Sequence, residues 1–130
     1  LGTTNIHHII KYNLIMTNIN IENTKVQMRK GILEYCILGI ISEGEVYASD
    51  ILEELKTANL LVVEGTVYPL LTRLKNAGLL AYVWKESTSG PPRKYFTLTD
   101  QGKSAISELS QTWKELESAV QKTTQTSHTS

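Results

Sequence analysis

From about Lys25 to Ser42 the apolar residues Ile32, Leu33, Cys36, Ile37, Ile40 and Ile41 follow the spacing of one helical stripe, and Tyr35 and Leu38 widen it until two sides of the helix are buried. A loop at Gly44 follows. Ser49 to Ala58 then sets Ile51, Leu52 and Leu55 inward and Glu53, Glu54 and Lys56 outward, a short second helix ending at Asn59. Leu60 to Val63 reads as a segment crossing the core. Beyond it Val67, Leu70, Leu71 and Leu74 share a face and Gly78 supplies a stop, so the spacing predicts a third helix; Pro69 within it removes a backbone donor and invites a kink or a break.

Leu79 to Ser87 and Arg93 to Thr99 are rich in Tyr, Val, Trp, Phe and Thr, and the Thr-Ser-Gly-Pro-Pro run between them is turn chemistry, which predicts a two-stranded hairpin with Trp84 in its core. Thr99 can cap a last helix, with Asp100 in its first turn where negative charge favours the helix dipole. Along that helix Ile106, Leu109, Trp113, Leu116 and Val120 form an a/d seam that asks for a helical partner. Three helices, a hairpin and a last helix make an α+β, mostly α, arrangement: a winged helix-turn-helix with a C-terminal dimerisation helix. The expected boundaries are a disordered or leader tail over 1–24, the winged helix over 25–99, the dimerisation helix over 100–122 and a second disordered tail over 123–130.

Composition narrows the chemistry. The chain has 130 residues, with 13 Lys and Arg against 13 Asp and Glu, so any nucleic-acid surface must come from segregated charge. Segregation is what the sequence shows. Glu43 to Glu64 holds six acids and Lys56 alone, a net of −5, whereas Gly65 to Lys94 holds Arg73, Lys75, Lys85, Arg93 and Lys94 against Glu86 alone, a net of +4. The third helix and hairpin are the elements a winged helix presents to the major groove and the flanking backbone. One cysteine and three histidines, all three in the tails, leave no metal set, and Cys36 reads as a small core residue. A single thiol suits a reducing, cytoplasmic compartment, and no apolar run approaches the roughly 18 to 20 residues of a membrane span. No nucleophile set, acid/base pair with His or phosphate-binding glycine loop falls in the folded span, so no enzyme and no cofactor is expected.

The run EGTVYPLLTRLKNAGLLAYVWKESTSGPPRKYFTLTDQG, Glu64 to Gly102, resembles the signature of PadR-type transcriptional regulators, and QMRKGILEYCILGIISEGEVYASDILEEL resembles that family's first two helices. The single C-terminal helix is similar to the family's short subclass. The resemblance implies a homodimeric, ligand-responsive repressor that binds a dyad-symmetric operator on double-stranded DNA. The chain departs from the family pattern at Val63-Glu64, where a Ser or Asn cap and a Pro are usual, and at Val46-Tyr47-Ala48-Ser49-Asp50, which keeps Tyr47 and an acid without the second aromatic.

Carried onto this chain, the resemblance implies DNA contacts by Thr66, Tyr68, Arg73 and Lys75 on the third helix and by Arg93 and Lys94 on the wing. Arg73 suits bidentate contact with a guanine edge or a phosphate, and Thr66 suits donation to phosphate. Tyr68 has two readings, contact with DNA or packing under the hairpin. Lys25, Arg29 and Lys30 read either as added phosphate contacts or as a solvated helix end. Tyr35, Leu38, Ile106, Leu109, Trp113, Leu116 and Val120 are expected to form the dimer. Trp113 is either one more seam residue or, as in drug-binding members of the short subclass, half of a pair between which a small flat aromatic effector stacks. The alternative function is a winged-helix protein-interaction module that does not read DNA; exposed aromatic anchors would favour it, and the cations Arg73, Lys75, Arg93 and Lys94 speak against it.

Overall fold

The computed structural model of the protein describes residues 4–60 and 64–125. In chain order they form α1 (Thr4–Ile41), β1 (Val46–Tyr47), α2 (Ala48–Thr57), α3 (Glu64–Asn76), β2 (Leu80–Ser87), β3 (Gly90–Leu98) and α4 (Asp100–Thr124). The chain divides into two compact units between Leu33 and Glu34.

The first unit is the N-terminal stretch of α1. Residues 1–24 were expected to be an irregular tail, yet the helix begins at Thr4, not near Lys25. Asn and Thr lower helix propensity by only fractions of a kcal/mol each, and between Thr4 and Lys30 no Pro or Gly stops a helix that gains one hydrogen bond for every residue it adds. The side chains described between Asn5 and Gly31 are exposed, Lys25, Arg29 and Lys30 among them.

In the second unit the last turns of α1 supply Ile37, Leu38 and Ile41 to a core completed by Ile51 and Leu55 of α2, Val67, Leu71 and Leu74 of α3, Leu80 of β2 and Phe96 of β3. Cys36 lies half-buried beside this core, and burial pushes its thiol pKa up. α2 ends where the sequence places its end. Asn59 adopts φ +61°, its amide donates to the Lys56 carbonyl at 3.0 Å, and the Leu60 amide donates to Leu55 at 2.9 Å. α3 closes the same way through Gly78 at φ +83°, with the Leu79 amide donating to Leu74 at 3.0 Å. Pro69 neither breaks nor divides α3, which runs unbroken from Glu64 to Asn76. The donor it lacks would serve only the Gly65 carbonyl in the first turn. The expected core crossing by Leu60 to Val63 falls mostly outside the described residues.

The hairpin gains a third strand that hydrophobic patterning did not reveal. β1 pairs antiparallel with β3 through Val46↔Phe96 and Tyr47↔Tyr95, giving the sheet order β1-β3-β2. The turn is also tighter than expected, because β3 starts at Gly90 and only Thr88 and Ser89 remain between the strands. The register passes from Lys85↔Arg93 to Ser87↔Gly90, so Pro91 and Pro92 fall at a bulge opposite Glu86, where the ladder does not call on their missing donors.

Thr99 joins the wing to α4. Its hydroxyl donates to the Gly78 carbonyl at 2.6 Å and accepts from the Gly102 amide at 3.0 Å, while its own amide donates to the Leu79 carbonyl at 3.1 Å. Gly102 is buried here, so close to the Leu79 carbonyl that a methyl group would overlap it. α4 extends two residues past the expected end, to Thr124; the rest of the expected tail lies outside the described residues apart from Gln125. The fold is mostly helical with a small antiparallel sheet, the expected winged-helix order. Among the described residues no helix is long and apolar enough to cross a membrane.

Candidate nucleic-acid interface

α3 turns Val67, Leu71 and Leu74 into the core, which leaves Gly65, Pro69, Thr72 and Asn76 as its most outward, exposed stripe. The residues expected to meet DNA flank that stripe. Tyr68 and Lys75, seven positions apart, occupy one flank, and Thr66 and Arg73, also seven apart, occupy the other. Tyr68 is 45% exposed, so of its two readings packing under the hairpin is set aside. Thr72 and Asn76 were not among the expected contacts because neither carries charge, although the periodicity already sets both opposite the apolar face.

The two flanks face different neighbours. Arg73 ion-pairs with Glu34 of α1. Lys75 lies with its ammonium 5.0 Å from the Tyr82 ring centroid, and the Lys94 ammonium lies 4.2 Å from the same ring and 5.3 Å from that of Trp84. Tyr82 therefore gathers one cation from α3 and one from β3, at distances where an ammonium is attracted to the ring electrons. The fold thus brings together two of the predicted cations that are distant in sequence.

Strand alternation separates Arg93 from Lys94. Tyr82, Trp84, Lys94 and Phe96 share the sheet face that carries the buried Leu80 and Phe96, whereas Arg93 and Lys85 stand on the reverse face. There the Arg93 guanidinium lies 4.9 Å from the Tyr47 ring centroid, Lys85 pairs with Glu45 and lies 4.9 Å from the Tyr95 ring, and the Tyr47 and Tyr95 rings stand 3.8 Å apart with their hydroxyls hydrogen-bonded. Trp84 was read as hairpin core and is instead 62% exposed. It lies farther along the strand than Tyr82, past the end of the apolar layer.

The expected dimer residues divide as well. Leu38 is 1% exposed within a single chain, so it is core and drops out of the docking face. Tyr35, Ile106 and Leu109 are half-buried. Trp113, Leu116 and Val120 lie on an exposed stripe of α4, where every side chain from Gln111 to Gln125 is exposed. Among the described residues no group of His, Cys, Asp and Glu could hold a metal ion.

Residues 37–108, more than half of the chain, match the PadR-like family of transcriptional regulators. The chain belongs to that family. This PadR-like protein is 60% identical to a PadR-like transcription factor from Bacteroides fragilis, over 75% of this chain and 95% of that one, with a TM-score of 0.65. It is 40% identical to a PadR-like regulator from Bacillus cereus, over 77% and 98% of the two chains, with a TM-score of 0.69. A third similar structure is Bacillus subtilis PadR in complex with operator DNA, 27% identical over 60% of this chain and 46% of that one, with a TM-score of 0.55. The Bacteroides fragilis and Bacillus cereus relatives of this PadR-like protein are a transcription factor and a transcriptional regulator.

Proposed function

We propose that this PadR-like protein is a homodimeric repressor that binds a dyad-symmetric operator in double-stranded DNA. The observation that carries the reading is the cation pair Lys75 and Lys94 around Tyr82, beside the exposed stripe of α3: one element supplies polar groups for base edges and the adjoining one supplies charge for phosphate. Thr66, Tyr68, Thr72 and Asn76 face the groove, Lys75 and Lys94 hold backbone, and Arg93 reaches phosphate from the other side of the wing. Arg73 stands at the edge of this surface with its charge shared by Glu34. Two copies join through Trp113, Leu116 and Val120, with Tyr35, Ile106 and Leu109 at the margin, in the cytoplasm. A small flat aromatic effector that stacks on Trp113 acts on the same seam, so its binding shifts the spacing of the two recognition helices.

The test is salt-titrated binding and footprinting on the DNA upstream of the protein's own gene, with a scrambled duplex as control, alongside sedimentation at micromolar concentration. The expected outcome is a dimer protecting two half-sites about one helical turn apart or a multiple of it, held about a thousandfold or more tighter than the scramble. Equal weak binding to both duplexes would favour the protein-interaction module, and a stable monomer would refute the seam.

A further inference from the structure

We infer that Trp84 is a DNA-contacting residue of the wing, its indole laid against the sugar–phosphate backbone beside Lys94 and Lys75. The inference deepens the proposed DNA-binding reading and rests on it. Trp84 is the most exposed aromatic side chain among the described residues, at 62%, on a strand whose same-face neighbours toward α3 are covered. Leu80 is buried on that face, and Phe96 is buried opposite the half-buried Tyr82. The fold thus covers this face up to Tyr82 and stops, leaving one large apolar ring on the side that carries α3.

The surroundings select the occupant. Lys94 is the cross-strand partner of Trp84 and holds its ammonium 5.3 Å from the indole, and Lys75 joins it at Tyr82. The charged groups that lie against this ring and its neighbour Tyr82 are the two ammonium groups, with Glu86 two residues farther along the strand, so an acidic polymer is favoured. The deoxyribose face offers an apolar surface to the indole between phosphates that the ammonium groups can neutralise, and the indole N–H is a donor for a phosphate oxygen. Because indole is uncharged, its contribution differs in kind from that of the lysines: affinity changes while the number of counterions released does not.

The experiment compares wild type, Trp84→Ala, Trp84→Phe and Lys94→Ala on the duplex from upstream of the protein's own gene. Binding is read by anisotropy of labelled DNA across salt, and tryptophan emission is read with unlabelled DNA. Trp84→Ala is expected to weaken binding about two- to tenfold with the salt slope unchanged, whereas Lys94→Ala flattens the slope by about one unit. Bound DNA is expected to perturb an emission component that wild type has and Trp84→Phe lacks. Binding with that component unperturbed and Trp84→Ala at wild-type affinity overturns the inference and leaves the DNA-binding reading standing. Absence of anisotropy change on every duplex removes both. Should Trp84→Ala fail to fold, the difference in emission between wild type and Trp84→Phe decides alone.

Discussion

The guanidinium of Arg73 on the recognition helix is ion-paired with the carboxylate of Glu34 on α1. The arginine side chain stays 69% exposed and the glutamate only 28%, so the pair is anchored on its acidic side and a phosphate must share the cation with a fixed carboxylate. Glu34→Gln is expected to lower stability by less than about 1 kcal/mol, as for other solvent-facing pairs. The same change should tighten binding to every duplex and steepen the salt dependence by about one unit. A slope equal to that of wild type would show that Arg73 belongs to the scaffold alone.

The opposite faces of Arg93 and Lys94 predict unequal variants. Lys94→Ala should flatten the salt slope by close to one unit, and Arg93→Ala, on the sheet face turned away from α3, by clearly less. The double variant should then lose between one and two units. Equal losses from the two single variants would mean that the wing meets DNA edge-on and that its faces are not distinguished.

Gly102→Ala places a methyl group against the Leu79 carbonyl, an obstacle that belongs to the backbone and cannot rotate away. The expected cost lies at the upper end of overpacking, about 3 kcal/mol, read as a lower denaturation midpoint at constant m-value. A neutral outcome would show that the start of α4 shifts freely relative to the end of α3.

Cys36 makes a prediction about pH. Its folded-state pKa is raised by burial, so the unfolded chain ionises first. Its contribution to stability is complete below the ordinary thiol pKa and declines as pH rises through the folded value. At neutral pH the folded protein should alkylate more slowly than the chain in denaturant. Equal rates would place the thiol in water.

Much of this architecture was legible because local chemistry and tertiary context agree. Asn59 and Gly78 end helices where left-handed residues are needed, Thr99 caps α4, and the apolar periods of α2 and α3 are those of the core. What escaped was decided by partners distant in sequence. Val46 and Tyr47 are too few to show alternation and become a strand only because Tyr95 and Phe96 lie beside them. Leu38 looked available for a second chain because nothing in the spacing of α1 shows that its wide stripe is buried within one chain. The cations themselves are legible in the charge pattern, but their grouping is not, since a run of adjacent letters hides the alternation that sends Arg93 and Lys94 to opposite faces and the fold that sets Glu34 against Arg73.

The hydroxyl of Thr99 pins the turn that ends one helix to the beginning of another. α4, with 25 residues, is a rod about 37 Å long. A pivot of about 5° at that pin swings the rod's far end by roughly 3 Å, close to the rise of a single base pair. In the proposed dimer, with two copies joined at their rods, the angular play at this threonine would set how closely the pair measures out a length of duplex.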